Sequence, residues 1–107
     1  MMTLPSLNSR FFIHREQHMR ILISPGRLYA TAGVNHLISQ GLDIRPLLSR
    51  HLRGDWGDIG DDDKLANDDA VRMHNDRILS AYAITPDIKI WILTDEGITT
   101  ILLPSEY

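Results

Sequence analysis

The last third of the chain holds three apolar, β-branched runs with almost nothing between them. Ile78 to Ile84 meets a turn at Thr85-Pro86-Asp87. Ile88 to Thr94 meets a second at Asp95-Glu96-Gly97, and Ile98 to Leu103 ends at Pro104. Connections this short join only antiparallel neighbours, because a parallel crossover needs a dozen residues or more. A C-terminal antiparallel meander is therefore expected. Alternation puts Trp91 and Leu93 on one face of the middle strand and Ile90 and Ile92 on the other. Both faces are apolar, so both need cover.

The preceding residues supply helices for one face. Arg27-Leu28-Tyr29-Ala30-Thr31 reads as a further strand, with Thr31 as N-cap of a helix carrying Val34, Leu37 and Ile38 and ending at Gly41. Asp43 reads as the next N-cap, with Pro46 in the first turn and Leu47, Leu48, His51 and Leu52 forming one stripe. Gly54 closes that helix. A third helix is expected from Asp61 or Asp62, its acids complementing the helix dipole, with Ala66, Ala70, Met73 and Arg77 along one side.

The fold class predicted is α+β: two to three helices packed on an antiparallel sheet of three to four strands. The chain of 107 residues suits one domain, expected over 20–107. Residues 1–19 carry turn-type stretches at Leu4-Pro5-Ser6 and Asn8-Ser9 and are expected to be poorly ordered. No stretch of 18 apolar residues occurs, no signal-peptide core stands at the N-terminus, and a cytoplasmic location without membrane contact is the expectation. The chain has no cysteine, which excludes disulfides, thiolate zinc sites and a thiol nucleophile.

A net charge of −3 hides an asymmetry. Residues 10–53 hold seven arginines against Glu16 and Asp43, a balance of +5, and residues 55–76 hold eight aspartates against Lys64 and Arg72, a balance of −6. Such a block is a solvated face or an interaction surface. It fails as a calcium loop. Counting from Asp58, Gly60 and Asp63 stand where a ligand and a glycine belong. Counting from Asp55, Ala66 stands in place of the closing glutamate. No cofactor and no metal site is expected. Imitation of nucleic acid by the aspartates is a further reading of the same block.

His14-Arg15-Glu16-Gln17-His18 nearly matches the zinc-protease motif, but its glutamate is one place late, about 100° round a helix. Two exposed histidines is the simpler reading. His51, on an apolar stripe, is read either as a hydrogen-bonded core histidine or as a base oriented by Asp55 or Asp58. Trp56, between glycines, either plugs the core or anchors a ligand or partner. Arg27, Arg45, Arg50 and Arg53 lack interleaved aromatics, so a nucleic-acid partner is not expected.

Several phrases carry a resemblance. They are Arg50-His51 with Gly54-Asp55-Trp56-Gly57, Asp63 with Asn67, Ser80-Ala81-Tyr82, and Lys89-Ile90-Trp91-Ile92-Leu93-Thr94 running into Thr99 to Tyr107. In this order they resemble small uncharacterised proteins encoded on plasmids and integrative elements of proteobacteria, over about residues 27–107. The chain departs from that pattern in its short Asp95-Glu96-Gly97 turn and in His74-Asn75-Asp76, where a glycine is usual. The resemblance implies a mobile-element setting and no defined activity.

The leading expectation is a non-enzymatic interaction or accessory protein that meets a protein partner through Gly54–Asp69, with Arg50, Arg53, Asp55, Trp56 and Asp58 as binding residues. The alternative is a small metal-dependent hydrolase or nuclease using His51, Asp55, Asp58 and Asp63. The doubly apolar sheet also leads to an expected homodimer, with Trp91 or its neighbours near the contact; cover of that face by the N-terminal segment is the alternative.

Overall fold

In the computed structural model, residues 20–74 and 77–107 are described. The near-match at His14–His18 and the expected disorder of residues 1–19 lie outside them. Strand β1 (Arg27–Ala30) leads into helices α1 (Ala32–Ser39), α2 (Arg45–Leu52) and α3 (Asp61–Met73). Strands β2 (Ile78–Thr85), β3 (Ile88–Asp95) and β4 (Ile98–Leu102) follow, then a 3-10 turn at Pro104–Glu106. The fold is α+β, with β2, β3 and β4 in the meander that their short turns require. No described helix is long and apolar enough to cross a membrane.

The sheet is mixed rather than wholly antiparallel. Its order is β1-β4-β3-β2, and β1 joins β4 in parallel, Leu28 opposite Thr99 and Ala30 opposite Ile101. Three helices separate β1 from β2, so the chain has ample length for that crossover. The meander alone does not dictate it.

One sheet face carries Tyr82, Ile90, Ile92 and Ile101, all buried, and meets Val34 of α1. Leu37, Leu42, Ile44, Leu47 and Leu48 pack around that cluster. Thr31 caps α1 as expected, accepting from the Val34 N–H. From the chain end, Glu106 accepts from the Gly33 N–H at 2.9 Å, adding a carboxylate at the same helix N-terminus. For α2 the boundary shifts by one residue: Ile44 occupies the N-cap position. Asp43 still accepts the Arg45 N–H at 3.0 Å. The helix stops in the Schellman motif that a C′ glycine allows. Gly54 (φ +87°) donates to His51 O at 3.2 Å, and Asp55 donates to Arg50 O at 2.9 Å.

Helix α3 differs from its sequence expectation. Its inward residues are Asn67, Ala70 and Val71, whereas Ala66 is exposed and Met73 is 64% exposed. The helix ends at Met73, short of Arg77. The apolar spacing of Ala66, Ala70 and Met73 is overridden by a polar contact. Asn67 docks on the outer edge of β2, its Nδ2 donating to Leu79 O at 2.8 Å and its Oδ1 accepting the Leu79 N–H at 3.3 Å. On the sheet face away from Val34, Trp91 is half-buried, and the Tyr107 ring meets it edge-on at 5.6 Å.

Candidate functional site

Strand β2 organises the polar chemistry, because its two faces and its outer edge each hold a different group. On its inner face Ser80 and His51 are fully buried. His51 Nδ1 lies 2.6 Å from Ser80 Oγ, and Nε2 lies 2.9 Å from Thr94 Oγ1. Thr94 Oγ1 is 2.6 Å from Thr99 Oγ1, which donates to Pro25 O at 2.7 Å. The carbonyl end fixes the direction of the chain. Thr99 has one proton and gives it to Pro25. Thr94 therefore donates to Thr99, and His51 Nε2–H donates to Thr94. In a neutral ring Nδ1 then accepts from the Ser80 hydroxyl. Burial pushes the His51 pKa down to about 4, in agreement with a neutral ring. The Trp56 ring closes the site edge-on at 5.9 Å.

A serine 2.6 Å from a histidine nitrogen has the outline of a nucleophile and its base. Here both are enclosed, and the second ring nitrogen meets a threonine rather than a carboxylate. The arrangement ties α2 to β2 and β3 and, through Thr99, to the segment before β1. Each polar atom in it is satisfied, which is the condition for burying one at low cost.

The outer edge of β2 carries the Gly54–Gly60 loop. Ala81 donates to Trp56 O at 3.1 Å, and Asp58 donates to Ala81 O at 2.7 Å. A side chain at Gly57 would bring its Cβ to 2.1 Å from Ala81 O, so the loop reaches the strand only with glycine there. Trp56 turns inward, 4% exposed, into a cluster with Ala70 and Ile78, and its Nε1–H donates to Asp68 at 2.9 Å. Tyr82 donates its hydroxyl to Asp55 O at 2.6 Å, and burial raises its pKa to about 12.

Three of the expected binding residues share one surface depression. Arg50, Asp55 and Asp58 line a cavity of about 260 Å³ with Gly57, Ala81, Tyr82 and Ala83. Arg50 spans the Asp55 carboxylate with two bonds of 2.7 and 3.2 Å, and its guanidinium lies 4.5 Å from the Tyr82 ring centre. The pair holds the Asp55 carboxyl below its usual range and raises the Arg50 pKa. Asp58 faces Lys89 at 3.5 Å. Arg53 points elsewhere and donates to Ser49 O. Trp56 is core rather than surface.

The four residues of the hydrolase alternative are dispersed. His51 is turned into the core, Asp55 is bound by Arg50, Asp58 faces Lys89, and Asp63 lines a separate cavity with Asn67, Arg77 and Leu79. Among the described residues no group of three or more histidine and carboxylate side chains is placed to hold a metal ion. Sequence reasoning missed Ser80, Thr94 and Thr99 as partners of His51. The available signal was hydroxyl residues at inward-facing strand positions, where alternation predicts apolar ones. Against family models, curated proteins and solved structures, the chain finds no match.

Proposed function

We propose that this protein works without catalysis, as a cytoplasmic accessory protein of a mobile genetic element that docks a basic protein partner on its Gly54–Asp69 face. The observation that carries this reading is a row of carboxylates on a pinned frame. Asp61, Asp62, Asp68 and Asp69 are exposed on α3, each one helical turn from Leu65, which is itself 63% exposed. The frame is held to β2 at two places, through Ala81 by the loop and through Leu79 by Asn67. A fixed acidic surface with an apolar anchor at its centre suits a cationic partner. Charge complementarity speeds and orients encounter, and a desolvated anchor supplies affinity.

The metal-dependent hydrolase or nuclease reading requires His51 to face the aspartates. Both of its ring nitrogens are engaged on the opposite side by Ser80 and Thr94. A homodimer built on the sheet belongs to the same proposal.

Affinity capture with the full chain tests the docking face. A specific basic protein should be recovered at about 50 mM salt and released at about 500 mM, where the screening length falls to a few ångströms. The Asp61→Asn/Asp62→Asn/Asp63→Asn variant should fail to recover it. Equal recovery by that variant would move the interaction elsewhere. Phosphodiester cleavage with Mg²⁺ or Mn²⁺ that disappears in Asp58→Asn would replace docking with hydrolysis.

A further inference from the structure

The two edges of the sheet are finished differently. Outward groups of β2 are occupied at Leu79 by Asn67 and at Ala81 by the Gly54–Gly60 loop. At the other edge, Arg27 N–H donates to Gly97 O at 2.9 Å and Thr31 N–H to Ile101 O at 3.0 Å. Alternation then turns the backbone groups of Leu28 and Ala30 away from β4. The Ala30 carbonyl accepts from Asn35 Nδ2 at 3.3 Å. The Leu28 N–H and C=O and the Ala30 N–H have no partner among the described residues. Leu28 is 47% exposed and Tyr29 50% exposed beside them.

We propose that this edge receives a second copy of the chain, the two β1 strands pairing antiparallel about a two-fold axis at Leu28. The inference deepens the homodimer of the proposed function and is independent of the acidic face. Self-complementarity argues for it. An axis at Leu28 sets Leu28 opposite the partner's Leu28, and both turn their free N–H and C=O outward, so they exchange two hydrogen bonds. The same axis sets Arg27 opposite the partner's Tyr29, twice by symmetry, a guanidinium against an aromatic ring. An axis one residue later would pair Leu28 with the partner's Ala30, whose carbonyl Asn35 already occupies. Asn35 thus disfavours that register, leaving Ala30 O one lone pair to share. Trp91 is less suited to the contact, because Tyr107 already packs on it.

The full chain gives the test. Sedimentation at about 100 µM, well above the micromolar range in which modest interfaces form, should show twice the 12.2 kDa chain mass. Arg27→Glu should weaken association at least several-fold, and adding Tyr29→Lys should restore it, since opposite charges then face each other across the axis. Because the chain has no cysteine, Leu28→Cys creates a single thiol. Under mild oxidant it should form a disulfide-linked dimer, opposite Cα atoms being about 5.5 Å apart in such a pair. Ser39→Cys should not. Circular dichroism checks that each variant is folded. A monomer at that concentration overturns the proposal. So does a dimer indifferent to the Arg27 and Tyr29 changes, or one lost only in Trp91→Ala. Hydrogen-exchange protection of the Leu28 and Ala30 amides in a monomer would assign the edge to another part of the chain and overturn it too. The triple aspartate variant should dimerise normally, so failure of the acidic-face reading is distinguishable from failure of this one.

Discussion

The His51 relay and the α3 carboxylates are both polar clusters attached to β2, yet they live under opposite conditions. In the relay every donor meets an acceptor, from the buried His51 through Thr94 and Thr99 to the half-buried Pro25 O. On the α3 face the aspartates stand in water, and their ion pairs are open ones such as Arg72 with Asp69. Buried polar groups are costly to orphan, whereas exposed charges contribute little to stability. The contrast teaches that the residues most suggestive of catalysis hold the fold together. The residues that look merely solvated are those a partner can reach.

The largest effect is expected at His51. His51→Leu should lower unfolding free energy by about 3 kcal/mol or more, because Ser80 and Thr94 lose a partner in the core. His51→Gln should lose less than half of that, since its amide can accept from Ser80 and donate to Thr94. Urea denaturation of both variants measures this, and equal losses would dissolve the relay into simple packing.

Acid should act in the same direction. Unfolded His51 titrates near 6.5 and folded His51 near 4, so between those values the unfolded chain binds the extra proton. Stability is therefore full above about pH 6.5 and declines towards pH 4, by about 3 kcal/mol from this group. The ring is faced by Ser80 from β2, Thr94 from β3 and Trp56 from the loop, none of them charged there. Asp55 and Glu106, also held below their usual pKa, lose their contributions in the acid range around and below their ordinary values of 3.8 and 4.5. Denaturation across pH 4–7 in wild type and His51→Gln separates the two, and an unchanged slope in the variant would absolve the histidine.

Asn67→Ala acts at the strand edge between the two clusters. It frees both backbone groups of Leu79 and should cost about 1–2 kcal/mol. Protection of the Leu79 amide should fall with it in hydrogen exchange. The smallest effect belongs to the acidic face. Asp58→Asn breaks an exposed 3.5 Å pair with Lys89 and should change stability by less than about 0.5 kcal/mol. A loss above 1 kcal/mol would mean that this face is structural as well.

Much of the fold was legible in residue order because it depends on local rules. Short turns force the meander, Thr31 caps α1, and glycines end α1 and α2. The inner face of β3 follows from alternation at Ile90 and Ile92. Local rules also suggested a helix three lined by Ala66, Ala70 and Met73, and there they held for Ala70 but not for Ala66 or Met73. Asn67 reaches a strand edge that is its neighbour only in three dimensions. Trp56 is similar. Flanking glycines announced a large aromatic in a loop, but the choice between core and surface was made by the space between α3 and Ile78.

The class of fold, the turn chemistry and the charge asymmetry are written in spacing or composition, and residue order suffices for them. Which polar residues meet is settled in three dimensions. His51 is 29 residues from Ser80 and 43 from Thr94, and Thr99 lies 74 from Pro25. The parallel entry of β1 beside β4 was decided in the same way. Contacts at such separations depend on the packing of whole elements, and no local propensity encodes them.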